Sequence, residues 1–134
     1  MDEVKFYMDE SIVSINATAT ACEAARKMRD NKIGSLLVDD DGEYMGIITE
    51  GDISRKVVAN DGNPRDVTVS MIMSKPIVSV DGELSMAAVF LHMREHNVRH
   101  CAVTRRKQIV GVVSIKDFAT YYINKFSKGG KDHK

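Results

Sequence analysis

The sequence is poor in the features that would assign it to a specialised class at once. It has two cysteines, Cys22 and Cys101, no tryptophan and two prolines among 134 residues. Two cysteines do not form the disulfide framework of a small secreted protein, so reduced thiols are the simpler interpretation. No apolar run approaches the roughly 18 residues that a membrane span needs, and the acidic start MDEVKFYMDE is unlike a signal peptide. The composition therefore predicts a cytoplasmic protein outside the membrane.

An excess of charge of one sign is also missing. Lys+Arg and Asp+Glu both number 19, which gives a formal net charge of zero. No overall field therefore attracts the chain to nucleic acid or to an anionic membrane surface, and no basic aromatic surface suggests nucleic-acid binding. The 43% of hydrophobic residues is typical of a globular protein. The length allows one domain, or two small units that share a core.

What the sequence does contain is an internal repeat. Sliding the chain against itself by 65 residues matches 4–53 onto 69–118 without a gap, and ten of these fifty pairs are identical. Chance would give about three identities at ordinary residue frequencies. The identical residues include a glycine and an aspartate of one motif, Gly46/Gly111 and Asp52/Asp117. Two copies of one supersecondary unit are therefore predicted.

Each copy has the pattern of a β-α-β-β-α unit. The β-branched runs SIVSI and PIVSV predict strands. Thr20 and Ser85 then occupy helix N-cap positions, and the helices should end near Asn31 and Asn97. A strand, a turn and a strand follow, and a second helix begins near the motif aspartate.

The two predicted hairpins differ in their turns. Asp41-Gly42 supplies the positive φ angle that a tight hairpin favours, whereas the second copy has no glycine at its turn. The predicted fold is α+β, with two repeats related by pseudo-twofold symmetry and their sheets packed together. The predicted boundaries are 4–59 for the first repeat, 60–68 for a linker, 69–126 for the second repeat and 127–134 for a disordered tail.

One motif closes the last strand of each copy. It reads GIITEGD at 46–52 and GVVSIKD at 111–117. A hydroxyl three residues before an acid is a helix capping box, and this is the commoner interpretation of an isolated occurrence. It is also suited to a ligand, because a carboxylate can accept from two vicinal ribose hydroxyls while helix N–H groups hold a phosphate. The two interpretations are compatible.

The tandem unit, its closing motif and the entry segments VKFYM and VSMIM together resemble the cystathionine-β-synthase (CBS) domain pair, or Bateman module. The resemblance covers nearly the whole chain except the tail. It implies a stand-alone regulatory module without catalytic activity, which binds an adenosine-containing ligand in clefts between the copies. AMP, ADP or ATP would be the ligand, with S-adenosylmethionine or NADH as less favoured choices. No metal is implied.

The resemblance also implies which residues bind the ligand. The motif aspartate would bind ribose and the Ser/Thr would contact phosphate or ribose, while backbone at the start of the middle strand would bind adenine. Many members carry a proline in that strand, where this chain has Leu37 and Ala102. The predicted ligand-binding residues are Thr49, Asp52, Ile33, Gly34 and Ser35 in the first copy, and Ser114, Asp117, Val98, Arg99, His100 and Lys116 in the second.

Charge distinguishes the two predicted sites. The residue before the motif aspartate, often arginine in the family, is Gly51 in the first copy and Lys116 in the second. Arg99 and His100 lie near the second site, whereas the first has acidic neighbours. We therefore expect Ser114/Asp117 to prefer phosphorylated ligands, and Thr49/Asp52 to bind more weakly or to take a less charged ligand.

Other functions remain as alternatives. The family's pairing of modules suggests a homodimer, with the helices that follow each motif at the contact, and signalling to a partner protein that the sequence does not identify. The competing hypothesis is a ligand-free scaffold that acts by dimerising or docking. The pattern His92-Met-Arg-Glu95-His96 fits the inverted zincin motif H-x-x-E-H, but no further His or Glu cluster offers a third zinc ligand.

Overall fold

The structure of the chain, a computed structural model, describes the backbone of residues 2–132 and the side chains of residues 2–127. Within this part of the chain, no helix is both long enough and apolar enough to cross a membrane. The chain divides into two compact units. Unit one is Ile12–Ile77 and carries GIITEGD. Unit two combines the N-terminal residues up to Ser11 with everything from Val78 onward, and carries GVVSIKD.

The boundaries of the units differ from those of the sequence copies. The first residues of each copy pack into the unit that contains the other copy's sheet, so residues 4–11 belong to unit two and 69–77 to unit one. The predicted linker, 60–68, lies inside unit one, where the backbone N–H groups of Ala21 and Cys22 donate to the carbonyls of Val67 and Pro64 at 2.8 and 3.0 Å. We call 2–11 and 66–77 the entry segments.

Unit one is built on a three-stranded sheet. Its elements are β1 (Ser14–Asn16), α1 (Ala21–Asn31), β2 (Ser35–Asp40), β3 (Glu43–Thr49), α2 (Glu50–Lys56), a 3-10 turn (Val58–Asn60) and the short helix α3 (Val69–Ile72). The central strand β2 pairs in parallel with β1 and antiparallel with β3. The core holds buried residues from α1, α3 and the sheet, among them Ala24, Leu36 and Ile48.

Unit two repeats this arrangement. Its elements are a 3-10 turn (Val4–Phe6), β4 (Ser79–Asp81), α4 (Met86–Glu95), β5 (His100–Arg105), β6 (Gln108–Ser114) and α5 (Ile115–Asp132). β5 pairs in parallel with β4 and antiparallel with β6. Its core includes Val4, Met93 and Phe118. The predicted α+β fold with two equivalent units is confirmed.

Local signals explain where the helices begin. Thr20 accepts the N–H of Glu23 at 3.1 Å, and Glu23 accepts the N–H of Thr20 at 3.2 Å, which completes a capping box at α1. Ser85 accepts the N–H of Ala88 at 3.1 Å at the start of α4. Both predicted caps are confirmed.

The hairpins have the same turn in both units. In unit one the turn residues are Asp41, with φ 51°, and Gly42, with φ 82°. In unit two they are Arg106 and Lys107, with φ angles of 52° and 65°. Two positive φ angles at the centre of a two-residue turn match the right-handed twist of the strands. The second hairpin therefore forms the same turn without a glycine.

The last helix is longer than the composition suggests. α5 continues to Asp132, through most of the segment that is predicted to be disordered. Once a helix is nucleated, each added residue costs little, and the upstream turns of α5 supply the nucleus. The last two residues of that segment lie outside the described residues.

Candidate functional site

The unit-one motif lies where β3 ends and α2 begins. Thr49 is the cross-strand partner of Ser35, and the N–H of Glu50 donates to the carbonyl of Gly34 at 3.1 Å. Because this bond ties the first turn of α2 to the start of β2, the predicted adenine-contacting residues, Ile33 to Ser35, lie beside Thr49 and Asp52. The structure therefore brings the predicted site residues of the first copy together.

The unit-two motif has the same geometry. Ser114 is the cross-strand partner of His100, and the N–H of Ile115 donates to the carbonyl of Arg99 at 3.1 Å. Lys116 is exposed on the first turn of α5, and Arg99 is exposed just before β5. The structure therefore also groups the predicted residues of the second copy, and it places Lys116 at the turn that carries Asp117.

Each entry segment pairs with the free edge of one motif strand through backbone hydrogen bonds. Ser74 and Ile47 exchange two backbone hydrogen bonds, of 2.8 and 3.0 Å. Asp9 and Val112, at the equivalent positions, exchange two of 2.9 and 3.0 Å. The motif glycine permits this approach, because a Cβ at Gly111 would lie 2.5 Å from Met8 Sδ and 3.0 Å from the carbonyl oxygen of Asp9. Packing against the entry segment therefore requires the glycine of G-h-h-[ST]-x-x-D, whether or not a ligand binds at the motif.

Asp52 is fully engaged within its own unit. Only 6% of this residue is exposed. Its Oδ2 accepts the N–H of Thr49 at 3.0 Å, while Thr49 Oγ1 accepts the N–H of Asp52 at 3.1 Å, so the predicted capping box is present. Ser74 Oγ donates to Oδ1 at 3.1 Å, and Lys56 Nζ lies 3.0 Å from the same oxygen. A ribose that used this carboxylate would have to displace one of these donors.

Asp117 is more open. It is half-buried, and its Oδ2 accepts the N–H of Ser114 at 2.8 Å and the Ser114 hydroxyl at 3.3 Å. This is the carboxylate half of a capping box. Among the described residues, Oδ1 of Asp117 has no hydrogen bond or ion pair. A carboxylate with one oxygen free can accept two vicinal hydroxyls without first losing a protein donor.

Two substitutions between the copies explain this contrast. Counting by the 65-residue offset, Ser74 corresponds to Asp9 and Lys56 corresponds to Tyr121. Asp9 cannot donate to a carboxylate when ionised, and its Oδ1 accepts the N–H of Ser11 at 2.9 Å. Sequence reasoning missed Ser74 and Lys56 as site residues. The same offset shows which positions correspond, but only the structure shows that Ser74 and Lys56 reach Asp52.

A cation also lies over the first turn of α2. A Cβ at Gly51 would lie 2.5 Å from Nη1 of Arg55 and 3.6 Å from Thr49 Oγ1. The guanidinium of Arg55 therefore fills the space where the second copy has the side chain of Lys116. Unit one has a positive charge at its motif after all, but it comes from one turn further along the helix.

The other candidates for metal binding or catalysis are the histidines and the cysteines. Among the described residues, no group of three or more His, Cys, Asp or Glu side chains could hold a metal ion. His92 and His96 lie one turn apart on α4, and Nδ1 of His96 is 2.9 Å from the carbonyl oxygen of His92. Burial raises the pKa of Cys101 to about 12, so its thiol stays protonated and is a poor nucleophile.

The fold and the paired motifs define a module of two equivalent β-α-β-β-α domains. The family model for the CBS domain matches residues 3–59 and again 69–124. The chain belongs to the CBS-domain family and contains two CBS domains. CBS domains are generally regulatory modules rather than enzymes.

Similar proteins support this assignment. An uncharacterised protein of Methanopyrus kandleri is 32% identical over 108 residues, which are 79% of this chain and 55% of that protein. A CBS domain-containing protein of Bacillus subtilis is 27% identical over 129 residues, 96% of this chain and 91% of that protein. The structure of a hexameric CBS-CP12 protein from bloom-forming cyanobacteria has a TM-score of 0.80 at 31% identity, over 87% of this chain and 69% of that one. The chain thus spans about half of the archaeal relative and nearly all of the bacterial one.

Proposed function

We propose that this chain is a regulatory module that binds an adenosine-containing ligand at its G-h-h-[ST]-x-x-D motifs, without catalytic activity of its own. AMP, ADP and ATP are the favoured ligands. The observation that carries the proposal is Asp117, a carboxylate with one free oxygen at a helix N-terminus, beside the exposed cations Lys116 and Arg99. A ribose diol fits the carboxylate, and a phosphate fits the N–H groups and cations of the first turn.

The two motifs should differ in affinity. Asp52 already accepts from Thr49, Ser74 and Lys56, so a ligand there exchanges existing hydrogen bonds for new ones. At Asp117 the free Oδ1 can accept a hydrogen bond from the ligand without losing a protein donor. Since a net hydrogen bond to a charged group is worth roughly 1.5–3 kcal/mol, the unit-two motif should bind the ligand at least about tenfold more tightly.

Ligand binding would act on a partner protein through a change in the exposed surface. Each motif strand is hydrogen-bonded to an entry segment that continues into the other unit, at Ser74 and at Asp9. A ligand that pulls the motif carboxylate away from Ser74 would therefore loosen the chain that leads on to Val78. A cytoplasmic location and signalling to a partner protein, whose identity the sequence does not give, are parts of this proposal.

We also propose that the chain forms a homodimer. Large apolar side chains on α5 are exposed, with Ile123 at 64% and Phe126 at 75%. Such a stripe on a helix favours protein contact over solvent. The hexameric cyanobacterial relative shows that a CBS-domain protein can assemble into oligomers.

Thermal shift and calorimetry test the ligand proposal. The wild-type chain is compared with Asp117→Ala, Asp52→Ala and the exposed control Asp61→Ala, against AMP, ADP, ATP, NADH and S-adenosylmethionine. A ligand at 100 times its Kd adds about 2.7 kcal/mol of stability. We expect Asp117→Ala to lose most AMP affinity, Asp52→Ala to lose less and Asp61→Ala to bind like the wild type. Loss of AMP binding with Asp52→Ala alone would reverse the ranking. Absence of a shift with all five ligands would favour the scaffold hypothesis.

A further inference from the structure

Opposite charges are concentrated at equivalent places in the two units. The turn of the β2–β3 hairpin and its flanks carry Asp39, Asp40, Asp41 and Glu43, which we call the acidic tip. The β5–β6 hairpin carries Arg105, Arg106 and Lys107, which we call the basic tip, at the positions that correspond to Asp40, Asp41 and Gly42. Six of these seven residues are exposed, and Asp39 is half-buried. The neutral total charge of the chain conceals this polarity.

The units as wholes differ in the same sense. Unit one has eight Lys and Arg against ten Asp and Glu, whereas unit two has eleven against nine, so their formal charges are −2 and +2. Among the described residues, no ion pair involves a residue of either tip. The tips are therefore available for a charged partner.

A cavity of about 620 Å³ opens beside the basic tip, within unit two. Arg105 and Arg106 form one wall, and Phe6, which is 60% exposed, contributes to another. Of the acids around the cavity, Glu83 is paired with Lys5 at 2.7 Å and Asp81 accepts the N–H of Glu83 at 2.8 Å. Glu10 is the other acid in the wall. Among the described residues, neither Arg105 nor Arg106 forms an ion pair.

This cavity is separate from the proposed ligand site. It lies at the end of β5 near Thr104, whereas Ser114 pairs with His100 at the beginning of that strand. Four residues of extended strand separate these two positions, which is about 13 Å. The volume of the cavity is in the range that holds a small ligand or a turn of a peptide chain.

We propose that the basic tip and its cavity bind the acidic tip of a second copy of this chain. Arginine pairs bidentately with carboxylates, and the acidic tip presents them on a tight turn. The occupant is argued from the chain itself, because every copy carries both halves of the contact in equal number. If two copies form a twofold dimer, each contact is made twice, with unit one of each copy against unit two of the other. The inference rests on the self-association proposed above, and it adds a charged contact to the apolar one on α5.

Exchanging residues between equivalent positions tests the contact. Asp40→Arg with Asp41→Arg cancels the net negative charge of the acidic tip and places arginines opposite the basic tip, whereas Arg105→Asp with Arg106→Asp makes the net charge of the basic tip negative. Each exchange introduces a charge that the other copy already carries at the corresponding position, and Asp41 and Arg106 have nearly the same φ angle, 51° and 52°. We expect each variant alone to associate at least tenfold more weakly than the wild type, because like charges then meet. An equimolar mixture should recover wild-type association.

Sedimentation velocity at about 50 mM and 500 mM salt provides the readout, since added salt screens exposed charges. Wild-type association should weaken at least tenfold at the higher salt. A control with the same charge change, Asp61→Arg with Asp66→Arg, should associate like the wild type. If the tip variants dimerise as tightly as the wild type, or if the control loses association equally, the proposed contact between the tips is refuted. The homodimer proposal itself would not be affected by that result. A wild type that is monomeric under all conditions would refute self-association itself.

Discussion

Two aspartates at equivalent positions, Asp52 and Asp117, have different surroundings. Asp52 is buried and accepts from a hydroxyl and an ammonium group, whereas Asp117 keeps one oxygen free among the described residues. The difference comes from residues distant in sequence, Ser74 and Lys56, which correspond to Asp9 and Tyr121. At the scale of residues, identical motifs therefore have different chemistry because their neighbours diverged.

The hydroxyl of Ser74 should limit ligand binding at Asp52. Ser74→Ala removes a donor to a buried carboxylate, so the free energy of unfolding should fall by about 1–2 kcal/mol, measured by urea denaturation. If the proposed ligand binds there, the affinity of the unit-one motif for AMP should rise about threefold to tenfold in an Asp117→Ala background, because one fewer donor has to be displaced. Calorimetry measures this change.

The control for this experiment is Ser70→Ala. Ser70 is exposed, and among the described residues its hydroxyl is hydrogen-bonded only to that of Thr68, at 3.1 Å. Its removal should therefore change stability by less than about 0.5 kcal/mol. Equal losses of stability for both variants would contradict the role of Ser74. Unchanged AMP affinity in Ser74→Ala would show that the hydroxyl does not compete with the ligand.

The hairpins show how far local rules determine an element. Both turns have two residues with positive φ, but only the Asp41-Gly42 turn has the residue type that such a turn favours. In unit two, Lys107 takes a φ of 65° because the flanking strands β5 and β6 pair in the same register as β2 and β3. At the scale of elements, tertiary pairing overrides the local preference of Lys107.

Replacing Lys107 by glycine should therefore stabilise the chain. The left-handed backbone conformation costs a residue with a Cβ roughly 1 kcal/mol or more of conformational free energy, and this cost is absent for glycine. After the entropy that glycine loses on folding, we expect Lys107→Gly to raise the free energy of unfolding by about 0.5–1 kcal/mol. The reciprocal change, Gly42→Lys, should lower it by a similar amount. Urea denaturation of both variants measures the effect, and Gln108→Gly, in strand β6, should instead destabilise. Stabilisation by Gln108→Gly would refute the turn argument.

The sequence predicts the elements better than it predicts their surroundings. The caps at Thr20 and Ser85 and the hairpin at Asp41-Gly42 follow from local hydrogen bonds and local φ angles, which neighbouring residues determine. The donors that reach Asp52 do not, because Ser74 comes from an entry segment 22 residues away. The repeat offset indicates which positions correspond, but only packing shows that Ser74 touches the motif aspartate of the other copy.

At the scale of the whole molecule, the entry segments are exchanged between the copies. The N-terminal residues pack onto the sheet of the second copy, where Val4 is fully buried and its N–H donates to the carbonyl of Leu84 at 2.8 Å. The Ser74 segment does the same for the first copy. Each unit therefore includes the first residues of the other sequence copy, so neither repeat as defined by the sequence is a complete unit. A fragment of residues 12–77 contains all of unit one, whereas a fragment of 4–59 lacks Ser74, the backbone hydrogen-bond partner of Ile47.

A hydrogen bond between residues 119 positions apart anchors the N-terminal segment to the last helix. The hydroxyl of Tyr121 donates to Oδ1 of Asp2 at 2.7 Å, and Lys125 lies 3.4 Å from the same hydroxyl. This bond from Tyr121 lowers the pKa of the Asp2 carboxyl below its ordinary value of 3.8, and the same bond raises the pKa of Tyr121 above 10.0. The contact therefore holds a carboxylate and a protonated phenol together.

The sign of both shifts determines the pH dependence. A carboxyl whose pKa is lower in the folded chain stabilises the fold fully above its ordinary pKa, and the contribution is lost as the pH falls through the depressed value. A phenol whose pKa is raised stabilises the fold up to its ordinary pKa, and that contribution is lost at higher pH. Tyr121→Phe should therefore lower the urea midpoint between about pH 5 and pH 9, and the difference from the wild type should shrink towards pH 3. Tyr122→Phe, its neighbour on α5, is the matched control and should show no such pH dependence. An equal difference between wild type and Tyr121→Phe at pH 3 and pH 7 would mean that the hydroxyl of Tyr121 does not act through the ionised carboxylate of Asp2.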